Sequence, residues 1–290
     1  MKAHQSSRTA EGMALVRALE ASRPEGVRIC HDPIARSLIN GLAYFLSKLV
    51  IDSGLYARIS RGALEFITAR ERYIDDFLEA RLSEGLEQVV ILGAGFDTRA
   101  YRVAGIDKTR VFEVDHPATQ ALKLKRLKKV IAPLPGHVTF VAVDFNTQTL
   151  GERLAASGYD PRGKTLFVWQ GVTMYLSQEG IDGTLAFIAH RSGPGSTVIF
   201  DYFYNETLRD MSRPEVRAMH RATRAAGEGL LFGIDQGHLE PFLTQRGFRE
   251  VRNADAEELE RLYFTGANAG RRPVSGAAIA SAWVSQREQG

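Results

Sequence analysis

Between Gln88 and about Tyr204, short apolar runs alternate with longer segments whose apolar residues recur at helical intervals. The runs are Val89-Val90-Ile91-Leu92, Arg110-Val111-Phe112-Glu113-Val114-Asp115, Val138 to Val143, Thr165 to Trp169 and Thr197 to Phe200. Near-continuous apolar runs with β-branched members suit strands covered on both faces. Strand-length and helix-length segments in alternation predict a doubly wound α/β sheet. Upstream of about residue 86 the pattern is helical: Ala10 to Ala21 repeats small and aliphatic residues, His31-Asp32-Pro33 opens a second helix, and Ala69 to Leu82 forms a third. After the fifth run the alternation breaks. A charged stretch, Asn205 to Gly233, spaces Arg209, Arg213, Arg217, Arg221 and Arg224 along expected helices. It reads either as a cover for the sheet edge or as a solvated helix pair. A helix over His238 to Gln245 and strands at Gly247 to Val251 and Ala277 to Val284 close the chain.

These segments predict one domain over 1–290: an N-terminal helical cap (1–86), a ligand-binding core (87–204), a helical insertion or lid (205–236), and a C-terminal helix with closing strands (237–290). Composition fits, with 44% hydrophobic and 24% charged residues in a 290-residue chain, enough for a sizeable core. The formal charge of +3 implies no strong pull toward nucleic acid or an anionic membrane. The basic run Lys123 to Lys129 carries leucines at helical spacing and reads as a solvated helix face. A lone cysteine, Cys30, excludes an internal disulfide and fits a reducing cytoplasm, while Met1 to Ala10 lacks an apolar signal core. The greasiest stretch, Ile39 to Ile51, is too short to span a bilayer. A cytoplasmic protein with a small-molecule partner is expected; oligomeric state stays open. No histidine and carboxylate cluster has metal-ligand spacing.

Candidate chemistry collects where the strands end. The first empties into Gly93-Ala94-Gly95, a turn that brings a ligand against bare backbone. The third glycine of a dinucleotide fingerprint would fall at position 98, which is Thr98, so a nicotinamide dinucleotide is disfavoured. The second ends at Asp115, placed to accept from a ribose; its competing role is to cap the helix opened by Pro117. The third ends at Asp144-Phe145, an acceptor beside a flat ring, as an adenine needs. The fourth and fifth end at Gln170-Gly171 and Asp201-Tyr202.

Gln88 to Arg102, Phe112 to Pro117 and Gln170-Gly171-Val172-Thr173-Met174-Tyr175-Leu176, with Thr9-Ala10 and His31 to Ala35, together resemble the leucine carboxyl methyltransferase family, in particular its bacterial polyketide O-methyltransferase branch. The resemblance implies a class I methyltransferase (Rossmann-like) sheet, mostly parallel with an antiparallel last strand, and S-adenosylmethionine as cofactor. It implies that Arg70 pairs with the methionyl carboxylate, a bidentate task suited to a guanidinium. It also implies that Gly93, Ala94 and Gly95 approach the methionyl end, that Asp115, with Glu113 behind it, holds the ribose, and that Asp144 and Phe145 hold adenine. Position 170 often carries Glu in the family. Gln170 keeps a hydrogen-bonding tip without the charge.

A sulfonium donor makes transfer to oxygen mainly a matter of alignment and exclusion of water. A carboxylate acceptor, with a pKa near about 4, needs no general base, whereas a phenol near about 10 needs about 4 kcal/mol of help at neutral pH. Tyr175, Asp201 and Tyr202 are the candidates for the acceptor pocket. No catalytic base is assigned, since His220 and His238 lie in or beside the charged insertion, where solvated or capping roles compete. The expected activity is an O-methyltransferase acting on a carboxyl or phenolic oxygen of a small molecule, such as a polyketide. An NAD(P)-dependent oxidoreductase and a non-catalytic protein that binds an adenosyl ligand are the alternatives.

Overall fold

The computed structural model describes residues 8–53, 62–144, 147–225 and 229–285. Helix α1 (Arg8–Ala21) leads to a short 3-10 turn (Ala35–Leu38), then α2 (Gly41–Asp52) and α3 (Ala63–Ser83). The core alternates β1 (Gln88–Leu92), α4 (Arg99–Arg102), β2 (Arg110–Asp115), α5 (Pro117–Leu127), β3 (Val138–Ala142), α6 (Leu150–Ala156), β4 (Thr165–Trp169), α7 (Gln178–His190) and β5 (Thr197–Phe203). Helices α8 (Asn205–Arg209) and α9 (Pro214–Ala225) follow, then α10 (Leu239–Thr244), β6 (Phe248–Ala254), α11 (Ala256–Tyr263) and β7 (Ala277–Val284).

The strands form one sheet in the order β3-β2-β1-β4-β5-β7-β6. β1 to β5 are parallel, and β7 enters antiparallel between β5 and β6. Stepping outward from β1 to either side reverses the direction in which the chain winds, so the carboxyl ends of β1 and β4 flank a crevice. Both faces of the central strands are dry. On one, Phe112, Phe167 and Phe200 pack with Leu154, Leu185, Ile188 and Leu243 from α6, α7 and α10. On the other, Val89, Ile91, Val168 and Ile199 meet Phe66, Ala69, Ile74 and Leu78 of α3 and Leu259 of α11.

Four sequence expectations change. His31-Asp32-Pro33 opens only a 3-10 turn: Asp32 Oδ1 accepts from the amides of Ile34 at 3.1 Å and Ala35 at 2.9 Å, a local turn that competes with a full helix. β5 runs on to Phe203, so Asp201 and Tyr202 lie inside the strand and, by its alternation, on opposite faces. Helix α11 was not foreseen; Asp255 caps it by accepting from Glu257 and Glu258, each at 3.0 Å. Lys123 is buried and ion-paired with Glu113 at 2.7 Å, so the basic run is not wholly a solvated face.

The apolar stretch from Ile39 becomes α2, capped by Asn40. Its Leu42, Phe45, Leu46, Leu49 and Val50 are exposed. No helix among the described residues is long and apolar enough to cross a membrane.

Candidate cofactor site

The glycine turn after β1 is built by backbone geometry. Gly93 and Gly95 have φ of 66° and 45°, the left-handed region that β-carbons disfavour. A β-carbon on Gly93 would collide with Val172 Cγ2, and one on Gly95 would lie 3.1 Å from Ala10 Cβ. The two α-carbons expected to face a ligand are thus covered by Val172 and by the start of α1. Between them, the Ala94 amide donates to the Val114 carbonyl at 2.9 Å, tying the turn to the end of β2.

There Asp115 receives the Gly95 amide on Oδ2 and the His116 amide on Oδ1, the latter at 2.6 Å. It is not the cap of α5; His116 is, accepting from the Ala118 amide at 3.2 Å. Burial pushes the Asp115 carboxyl up, and the two amides only partly offset this. Two of the carboxylate's roughly four lone-pair positions are used, which leaves acceptor capacity for a diol. Glu113, two residues back on the same face, is buried against Lys123, and burial raises its carboxyl against that lysine's pull. It stands inside the sheet rather than at its rim, so a ribose contact is not where the fold puts it. Asp144 follows β3, whose neighbour Val143 donates to the Asp115 carbonyl at 2.9 Å. Phe145 lies outside the described residues.

Across the crevice, Arg70 of α3 donates through Nη1 to Asp201 Oδ2. Asp201 Oδ1 accepts from the Gly171 amide at 2.6 Å. Asp201 therefore fastens α3 to the end of β4. Gln170 Nε2 donates to Glu71 Oε1 at 2.5 Å. Two buried atoms of this cluster, Arg70 Nε and Gln170 Oε1, have no partner among the described residues. One is a donor and the other an acceptor.

Beneath the turn lies a network that the sequence pattern did not disclose. Arg99 reaches Glu71 and Asp75, each at 2.7 Å, and Asp97. Arg17 reaches Asp32 at 2.9 Å and Glu71 at 3.5 Å, and donates to the Phe96 carbonyl at 2.5 Å. Arg102 meets Asp75 at 2.7 Å. Thr98 donates to Asp32 at 2.7 Å and accepts from Arg102 at 3.0 Å, which explains a hydroxyl where a dinucleotide fold has glycine. Burial alone would raise the carboxyls of Asp97, Glu71 and Asp32. For Asp97 and Glu71, Arg99 and then Arg17 outweigh it; for Asp32, Arg17 and Arg102 do, and all three fall below the usual range. Among the described residues three guanidiniums of this network face four carboxylates, a surplus of one negative charge that reaches Gln170 through Glu71. The motif residues Asp97 and Arg99 were visible in the sequence, but their partners were not.

The acceptor candidates separate. Tyr202 packs on the far face, where its hydroxyl donates to Asn253 at 3.2 Å, so it cannot share a pocket with Asp201. Tyr175 stands in the turn after β4, half-buried beside the crevice. Among the described residues no group of three or more His, Cys, Asp or Glu is arranged to hold a metal.

The sheet order with its reversed seventh strand, a glycine turn after β1 and an acid closing β2 define a class I methyltransferase fold. The sequence profile of the family described as Leucine carboxyl methyltransferase matches residues 10–189. This chain belongs to that family. A Rhodococcus jostii protein provisionally named an S-adenosyl-L-methionine-dependent methyltransferase is 32% identical over 262 residues, 88% of this chain and 86% of that protein. A Streptomyces coelicolor protein with the same provisional name is 36% identical over 189 residues, 65% of this chain and 66% of that relative's length. Among solved structures, a duf574 family protein from Streptomyces avermitilis aligns with a TM-score of 0.60 at 13% identity, covering 97% of this chain and 98% of that one. A Thermobifida fusca protein provisionally described as a methyltransferase gives 0.57 at 14% identity, covering 97% and 96%. At such identities these two speak for the fold alone.

Proposed function

We propose that this protein transfers a methyl group from S-adenosylmethionine to a carboxyl or phenolic oxygen of a small molecule. The observation that carries the reading is the unpartnered pair at the crevice, Arg70 Nε and Gln170 Oε1. A buried donor and a buried acceptor each left unmade cost about 1–3 kcal/mol, and an amino-acid end group, carboxylate plus ammonium, satisfies both. The surplus negative charge below Gln170 favours a cationic ligand there.

When bound, the cofactor supplies a methyl group already activated by a positive sulfonium. The chain's own residues then bind and orient. Arg70, steadied by Asp201, addresses the carboxylate; Asp115, fixed by two backbone amides, addresses the ribose; Asp144 closes the adenine side. Val172 and Ala10 stand over the glycine turn, where the start of α1 would help to keep water from a bound cofactor. Asp201 holds Arg70 and Gly171, Glu71 holds Arg99 and Gln170, and Asp115 holds two backbone amides, so an acceptor that is already an anion is favoured.

A screen of carboxylic acids and phenols with labelled methyl donor, followed by a pH profile on the best substrate, tests this. A carboxylate substrate gives a rate flat above about pH 5, whereas a phenol without a base gives a rate that climbs toward about pH 10. Titration with S-adenosylhomocysteine that shows binding, combined with no methyl release from any acceptor, would leave a binding protein in place of an enzyme. Binding of NADH instead would overturn the cofactor assignment.

A further inference from the structure

Outside the crevice, the described structure has a second concentration of charge on α9. Arg217, Arg221 and Arg224 follow at intervals of four and three and share one helix face. With His220 and Met211 they line a concavity of about 260 Å³. Arg217 Nη1 donates to the carbonyls of Met211 and Ser212, each at 2.7 Å, which holds its guanidinium in place before any ligand arrives. Among the described residues no carboxylate pairs with Arg217, Arg221 or Arg224. Like charges one helical turn apart oppose helix formation, so this face carries a repulsion that an anion relieves. His220 adds a directional group. Its Nε2 lies 3.0 Å from the Leu208 carbonyl, which can only accept, so the neutral ring carries its hydrogen on Nε2 and offers Nδ1 as an acceptor.

We propose that this concavity binds the phosphate ester of a small molecule. Guanidinium forks match the oxygens of a phosphate group, and an acceptor nitrogen beside them takes an O–H from the same group or an adjoining hydroxyl. The volume is below the roughly 300–1,000 Å³ of a pocket that engulfs a whole ligand, so it takes the charged head and leaves the remainder outside. This inference goes beyond methyl transfer and stands without it.

Calorimetric titration of the full chain at low ionic strength, with inorganic pyrophosphate in one arm and citrate in the other, tests it without any methyl donor. One pyrophosphate site per chain is expected, bound more tightly than citrate. The double variant Arg221→Gln/Arg224→Gln should weaken it by at least about tenfold with an unchanged circular dichroism spectrum. The Arg221→Lys/Arg224→Lys variant, which keeps charge but loses the fork, should fall between the two. Equal isotherms for wild type and the Gln variant, no binding by wild type, or a preference for citrate would each overturn the proposal.

Discussion

Arginine does opposite work in two regions of this molecule. Around the glycine turn, Arg17, Arg70 and Arg99 are buried and Arg102 is partly so, and each is paired with a carboxylate. On α9, Arg217, Arg221 and Arg224 face solvent, with no carboxylate among the described residues to meet them. A buried guanidinium loses its hydration and persists only when partners replace water, so the first set fixes geometry. An exposed guanidinium that meets no carboxylate stays available, Arg221 and Arg224 above all, with Arg217 held beside them by backbone carbonyls, so the second set suits recognition. The end of the crevice assigned to the cofactor is thereby built on a rigid ionic base, and the insertion is left free to differ between substrates.

The sharpest way to break that comparison is Arg99→Met. It strips Glu71, Asp75 and Asp97 of a shared cation and should cost about 3–5 kcal/mol in urea denaturation at pH 7. A loss below about 1 kcal/mol would mean that the network is ornamental. Next, Asp115→Ala removes the carboxylate proposed to accept from the ribose hydroxyls, worth about 1.5–3 kcal/mol per charged bond, so S-adenosylhomocysteine affinity should drop at least tenfold by calorimetry. An unchanged isotherm in a folded variant would defeat the ribose assignment.

Acidity gives a smaller effect with a definite sign. Asp32, Glu71 and Asp97 have lowered folded-state values, so the stability they contribute is complete above the ordinary carboxylate range of about 4 and disappears as pH falls through the depressed values. Asp97→Asn should flatten that acid slope. Gln170→Glu should bend it the other way: a carboxylate placed against Glu71 raises the pKa of the pair, so the variant gains stability relative to wild type as pH falls toward about 5. It should also change cofactor affinity while leaving the acceptor KM in place. The smallest effect expected is Arg221→Gln, within about 0.5 kcal/mol of wild-type stability, because that exposed side chain has no ion pair among the described residues.

Much of the architecture was legible in advance. The apolar runs located all five parallel strands and β7, because a strand buried on two faces needs contiguous apolar residues; the exposed edge strand β6 was marked by the glycine before it rather than by an apolar run. The glycine turn and Asp115 were legible for a similar reason: φ near +60° and an acid at a strand end leave local marks. The crevice residues fared unevenly. Arg70 and Gln170 were picked out and do meet one cluster, but Asp201 and Tyr202 were read as neighbours beyond the strand end because β5 was read three residues short, and inside the strand they point to opposite faces. Helix α11 escaped notice although its pattern is strongly amphipathic, because eight residues in a charged stretch give barely two turns of it.

By itself the sequence determined the order of strands and helices, the turn that opens the crevice and the chemical types available at its rim, since periodicity and backbone preference act over a few residues. Only the tertiary structure decided which charges neutralise one another. Arg70 finds Asp201 across 131 positions, and Arg17 finds Glu71 across 54. Coulomb attraction between buried groups depends on separation and desolvation, and both exist only after the helices have packed against the sheet.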